Sequence, residues 1–151
     1  MKKQKQFPKG MSIQSIRRAY IKEIERHSNE LISEIKTILS QYSGSDFKSA
    51  NIEIFPDEYG AGCTSIGLYL FKQSSKHIPM AQYLNDLPII DIDAYPDEYI
   101  PGLIIDIVKQ WFAECWWKAG GWDYPLPVVL SGHEGIGNGE LIQLTSCTPK
   151  R

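Results

Sequence analysis

Apolar side chains recur along residues 12–42 with the period of an α-helix. At 100° per residue, Ile13, Tyr20, Ile21, Ile24, Leu31, Ile32, Ile35, Ile38 and Leu39 share one face, and Arg18, Lys22, Glu25, Arg26, Asn29, Glu30, Ser33 and Lys36 share the other. One buried stripe and one solvated face predict a long surface helix, with Ser12 as its N-cap and Gly44 and its serine neighbours as its end. Alternation then takes over. Asn51–Phe55 and Ser65–Lys72 read as strands joined by a turn over Pro56–Gly62. Pro79–Leu87 reads as a short helix or an irregular loop, and Pro88–Asp93 as a short strand. A second helix is predicted from Pro96 or Pro101 to Gly120-Gly121, since proline suits a first helical turn and glycine a left-handed C-terminal cap. Leu126–Leu130 and Glu140–Thr145 complete the pattern as two strands joined by a glycine-rich turn. The expected architecture is α+β: an antiparallel sheet of about four to five strands packed against the long N-terminal helix and a second, apolar helix.

The second helix puts Ile104, Ile105, Val108, Trp111, Phe112, Cys115 and Trp116 on one wide face, with Asp106, Lys109, Gln110, Glu114 and Lys118 opposite. Trp111 and Trp116 are therefore expected in the core, and Cys115 as an inert packed thiol. Trp117 falls among the polar residues. It is either covered by the loop bearing Trp122 and Tyr124 or left exposed to a partner.

A chain of 151 residues that is 42% hydrophobic and 23% charged is ordinary for one globular domain. Residues 1–11, with Lys2, Lys3, Lys5 and Lys9 and no acid, read as a disordered basic lead, and residues 12–151 as the domain. Without those four lysines the net charge of −2 becomes −6. The charge is also uneven: residues 86–149 carry ten acids against two bases, Lys109 and Lys118, and all four tryptophans. Such a body argues against direct nucleic-acid binding, which needs clustered cations, and for a basic protein partner. Three scattered cysteines without a C-x-x-C suggest reduced thiols and a cytoplasmic protein. No apolar run suits a signal peptide or a membrane span.

Three stretches carry candidate chemistry. Ser131–Glu140 resembles an active-site loop, but it lacks the P-loop ending, and its glycines do not fit a dinucleotide fingerprint. Its readings are a plain hairpin whose glycines take positive φ, a hairpin showing His133, Glu134 and Glu140 to a partner, or an acid–base or metal site built on those three residues. Asp91, Asp93, Asp97 and Glu98 lie between a strand and a helix; they read as a solvated loop complementing the helix N-terminus, as a docking patch for a basic partner, or as a cation site without EF-hand spacing. Phe55–Tyr59 is echoed by Tyr95–Tyr99, without the matching flanks a repeat would need.

Taken together, Trp111-Phe112-Ala113-Glu114-Cys115-Trp116-Trp117, Gly120-Gly121 and Pro125–Glu134 resemble bacterial immunity proteins, the small cytosolic proteins encoded beside contact-dependent growth inhibition and other polymorphic toxins. The likeness covers Asp97–Thr145. It implies a non-catalytic α+β domain, with no cofactor and no metal, that binds one cognate toxin C-terminal domain, often a basic nuclease, and blocks its active site. The partner-binding residues expected are Asp91, Asp93, Asp97, Glu98, Trp117, Trp122, His133, Glu134 and Glu140. The alternative expectation is a small metal-dependent hydrolase using His133, Glu134 and Glu140.

Overall fold

The structure is a computed structural model that describes residues 4–42, 47–57, 59–96 and 99–147. Helices α1 (Ile13–Glu25) and α2 (Ser28–Gln41) precede strands β1 (Ser49–Phe55), β2 (Ser65–Phe71) and β3 (Ser75–Met80). Helix α3 (Tyr99–Lys118), β4 (Val128–Gly132) and the two-residue β5 (Ile142–Gln143) follow. The strands form one five-stranded sheet in the order β3-β2-β1-β4-β5.

The α+β class holds, and the all-antiparallel sheet does not. β1–β2, β2–β3 and β4–β5 pair antiparallel, but β1 and β4 pair parallel, Ile52 opposite Leu130. The reason lies in the connection: β4 is reached through α3, and a strand returning by way of a helix can lie parallel to its neighbour. β3 has no counterpart in the sequence pattern, because its residues Ser75, Lys76 and His77 are exposed on an edge and show no apolar alternation. Pro88–Asp93 forms no ladder; a single parallel bridge joins Ile89 to Gln6, and a 3-10 turn covers Ile92–Ala94.

The long N-terminal helix is two helices. Ser12 caps α1 as expected, its hydroxyl accepting from Ser15 N–H at 3.2 Å. The break falls at Arg26-His27. There the buried His27 ring meets Glu30 (Nδ1, 3.0 Å) and Asp86 (Nε2, 2.9 Å) and lies against Tyr83. Burial tends to raise the Asp86 carboxyl, but the His27 ring and the Arg26 guanidinium outweigh it and hold Asp86 below the usual carboxylate range. Residues 4–11, expected from composition to belong to a disordered lead, make specific contacts with the domain. Phe7 N–H donates to the Ile89 carbonyl, the Gln4 amide to the Leu87 and Ala61 carbonyls, and Lys5 and Lys9 pair with Glu23 and Asp91.

One core joins the helices to the sheet. α3 contacts β1 and β4, and α1 and α2 both contact α3. Ala50, Ile52, Ile54, Leu68, Leu70, Val128 and Leu130 are buried. Their strand neighbours Asn51, Glu53, Phe55, Tyr69 and Val129 keep partial or full exposure, so the sheet buries one face only. Trp111, Trp116 and Cys115 are buried as the helical pattern required. Among the described residues, no helix is long and apolar enough to cross a membrane.

Candidate functional site

Lys109 fixes the segment that bears the predicted site residue Glu140. The helical wheel assigns Lys109 to the solvated face, yet it is 2% exposed. Its ammonium donates to Asn138 Oδ1 (2.7 Å) and to the Glu140 carbonyl (2.9 Å), with the Asp106 carboxylate at 3.9 Å. Asn138 N–H donates to Asp106 Oδ1 at 2.9 Å. Farther along α3, the Trp116 and Trp117 indoles both donate to the Leu144 carbonyl, at 3.0 and 3.2 Å. Ser146 N–H then reaches the Trp122 carbonyl. Segment 138–146 is thus fastened along one flank of α3. Gly137 makes the approach possible. Its φ is +90°, and a Cβ there would run into the Asp106 carboxylate.

Trp117, Trp122 and Glu140 thus adjoin one segment at separate points: Glu140 beside Lys109, Trp117 at Leu144 about two turns farther along α3, and the Trp122 carbonyl at Ser146. Trp117 is 37% exposed and Trp122 46%, and the neighbouring Leu141, absent from the expected site, is 69% exposed. Trp117 is covered in part, with its indole N–H on the Leu144 carbonyl. Tyr124 packs edge-on against Trp116. Glu114, Asp123 and Glu140 are exposed as well.

The other expected residues lie elsewhere. Asp91 is engaged within the chain, one oxygen accepting from Asp93 N–H and the other 3.4 Å from Lys9. Asp93 is exposed; Asp97 and Glu98 lie outside the described residues. His133 and Glu134 follow β4, Glu134 at a left-handed φ of 53°. His133 Nδ1 meets Glu53 Oε2 of β1, its Nε2 lies 3.6 Å from Glu134, and its ring packs on Phe55. Glu53 was missed because only the parallel β1–β4 register brings it beside His133. Among the described residues, no three His, Cys, Asp or Glu side chains converge as metal ligands would. The remaining histidine, His77, sits in β3 stacked on Tyr69.

The opposite flank of α3 faces α1 across an open trough. A cavity of about 330 Å³ is lined by Ile21 and by Ile24, Ile107 and Trp111, the last three buried in the core, with Glu25, Glu114 and Lys118 at exposed positions. A second, of about 590 Å³, continues from it toward Gly135–Gly137, and Arg17 and Asp106 line both. Trp111 is held in place by its N–H bond to the Ser28 hydroxyl, 2.9 Å.

Comparison of the chain with protein-family models, with characterised proteins and with solved structures finds no match.

Proposed function

We propose that this chain is a cytoplasmic immunity protein that binds one cognate toxin domain, a basic nuclease, and neutralises it by covering its active site. The observation that carries the reading is the exposure of three large apolar side chains, Trp117, Trp122 and Leu141, in a stretch of chain that also exposes the carboxylates of Glu114, Asp123 and Glu140. Exposed indoles are the side chains that most often anchor an interface, and surrounding carboxylates steer a basic partner toward it. The resemblance of Trp111–Glu134 to immunity proteins supports the same reading.

The test is co-expression with the product of the adjoining upstream gene. A one-to-one complex and protection of growth are expected. Trp117→Ala with Trp122→Ala should weaken the complex by about 100-fold or more. The reading fails if the two products neither co-purify nor affect each other's toxicity.

One observation favours a second reading. Glu53 lies against Nδ1 of His133, which is how a carboxylate orients an imidazole general base. On this reading the protein is a small hydrolase. Turnover of an activated ester that disappears in His133→Ala, while toxin binding is absent, would select it.

A further inference from the structure

We propose that Asn138-Gly139 is a self-modifying site: the chain converts Asn138 to aspartate by way of a cyclic imide and so gives the buried Lys109 ammonium a carboxylate. Asparagine before glycine suits this chemistry, because glycine least obstructs the approach of its own nitrogen to the amide carbon. Gly139 is exposed, lies outside any helix or strand, and has a φ of +71°. Beyond its chain neighbours, the nearest atom to a Cβ placed there is the Gly135 carbonyl oxygen, at 3.7 Å, so the main chain has room to turn.

The fold adds what the dipeptide lacks. Asn138 Oδ1 accepts from Lys109 Nζ at 2.7 Å and from Glu140 N–H at 2.9 Å. Both partners can only donate, which fixes the amide with its oxygen toward them and its nitrogen away. Among the described residues, neither the Asn138 side-chain nitrogen nor the Gly139 N–H bonds an acceptor, so leaving group and nucleophile are both unhindered. The Gly139 nitrogen gives its proton to a solvent base and attacks Cγ of Asn138. The electrons of the Cγ–oxygen double bond move onto Oδ1, where an ammonium and a main-chain N–H receive the charge, the arrangement of an oxyanion hole. Collapse expels the side-chain nitrogen, which takes a proton from water and leaves as ammonia. A second water, admitted by the exposure of both residues, adds to the same Cγ, which the two donors keep polarised. The bond from Cγ to the Gly139 nitrogen breaks and that nitrogen regains a proton. The product is a normal aspartate; addition at the main-chain carbonyl would give isoaspartate instead.

Lys109 also makes the product favourable. Its ammonium is 2% exposed and bonded to two neutral oxygens, and among the described residues its nearest carboxylate, Asp106, is 3.9 Å away. A buried cation is costly until a counter-charge meets it. An aspartate at position 138 would meet it directly, sharing it with Asp106.

The test incubates the full chain folded and, in parallel, unfolded in urea at the same pH and temperature. Peptide mapping by mass spectrometry follows the exchange of the amide nitrogen for oxygen at residue 138. The folded chain should convert about tenfold faster than the unfolded one, since only the fold supplies the Lys109 donor. Enzymatic methylation of isoaspartate should show normal aspartate in excess. Lys109→Met should bring the folded rate down to that of the unfolded chain. A further readout does not depend on that variant folding: Asn138→Asp should raise the melting temperature by about 2–4 °C. A folded chain that converts no faster than the unfolded one, an excess of isoaspartate, a folded Lys109→Met variant that keeps the wild-type rate, or an unchanged or lowered melting temperature in Asn138→Asp would each overturn the proposal.

Discussion

The two flanks of α3 make opposite use of polar residues. On one, Lys109, Asp106 and the Trp116 and Trp117 indoles are spent on backbone and side-chain groups of residues 138–146. On the other, Glu25, Glu114 and Lys118 line the cavity between α1 and α3 at exposed positions, where Glu114 accepts from the Gln110 amide at 3.0 Å. Groups matched inside the chain hold it together, and their loss is felt as stability. Groups matched only by something outside are felt in binding. The same helix thus carries a flank tied to residues 138–146 and a flank whose charged groups stay near solvent, which periodicity alone cannot tell apart.

The strongest way to break the contrast is Lys109→Ala. It removes the ammonium from the Glu140 carbonyl and from the Asn138 amide oxygen, which keeps the Glu140 N–H, and opens a void, at a cost of about 3 kcal/mol. Thermal denaturation should show a loss of about 6–12 °C. Glu114→Ala, on the other flank, should change stability by no more than about 0.5 kcal/mol. Equal effects in the two variants would dissolve the distinction. Gly137→Ala comes next, at about 1–3 kcal/mol, because the new Cβ meets the Asp106 carboxylate at a positive φ. Denaturant unfolding measures it, and a neutral result would mean that segment 138–146 is not held as described. The shared Leu144 carbonyl sharpens the comparison further. Trp117→Phe removes one of two donors and should cost less than about 1 kcal/mol, since Trp116 still satisfies the oxygen. In contrast, Trp117→Ala should affect partner affinity far more than stability.

The smallest effect lies away from α3. The Lys5 ammonium, bonded to Glu23, holds that carboxyl below the usual range with help from Arg26, against the opposing effect of burial; Asp86 is held low beside His27 and Arg26. Folding lowers both, so their contribution is complete above about pH 5 and fades as the pH falls through the folded-state values. Asp86 is half exposed, which keeps the effect small. Asp86→Asn should flatten the acid limb of a stability-against-pH curve slightly, as read by urea midpoints, and an unchanged limb would remove Asp86 as a contributor.

Much of the helical part was legible in the sequence. Ser12 capping, the stripes of α1 and α2, and the burial of Trp111, Trp116 and Cys115 follow from spacing that only a 3.6-residue period satisfies. Of the candidate surface, the sequence showed that Trp117 falls on the polar side of its helix, where it keeps 37% exposure, but not that Asp91 is tied to Lys9. Leu141 went unnoticed because a lone leucine in a glycine-rich loop gives no periodic signal. The break at His27 was hidden because the apolar stripe continues straight across it.

By itself, the sequence determined which residues face inward along each helix and along the strands it revealed, because that is a local property of the backbone period. Tertiary structure alone decided that β4 lies parallel to β1, that His133 meets Glu53 eighty positions away, and that Lys109 is buried rather than solvated. Each depends on which distant segments become neighbours when the core closes, and hydrophobic spacing records burial without recording the partner.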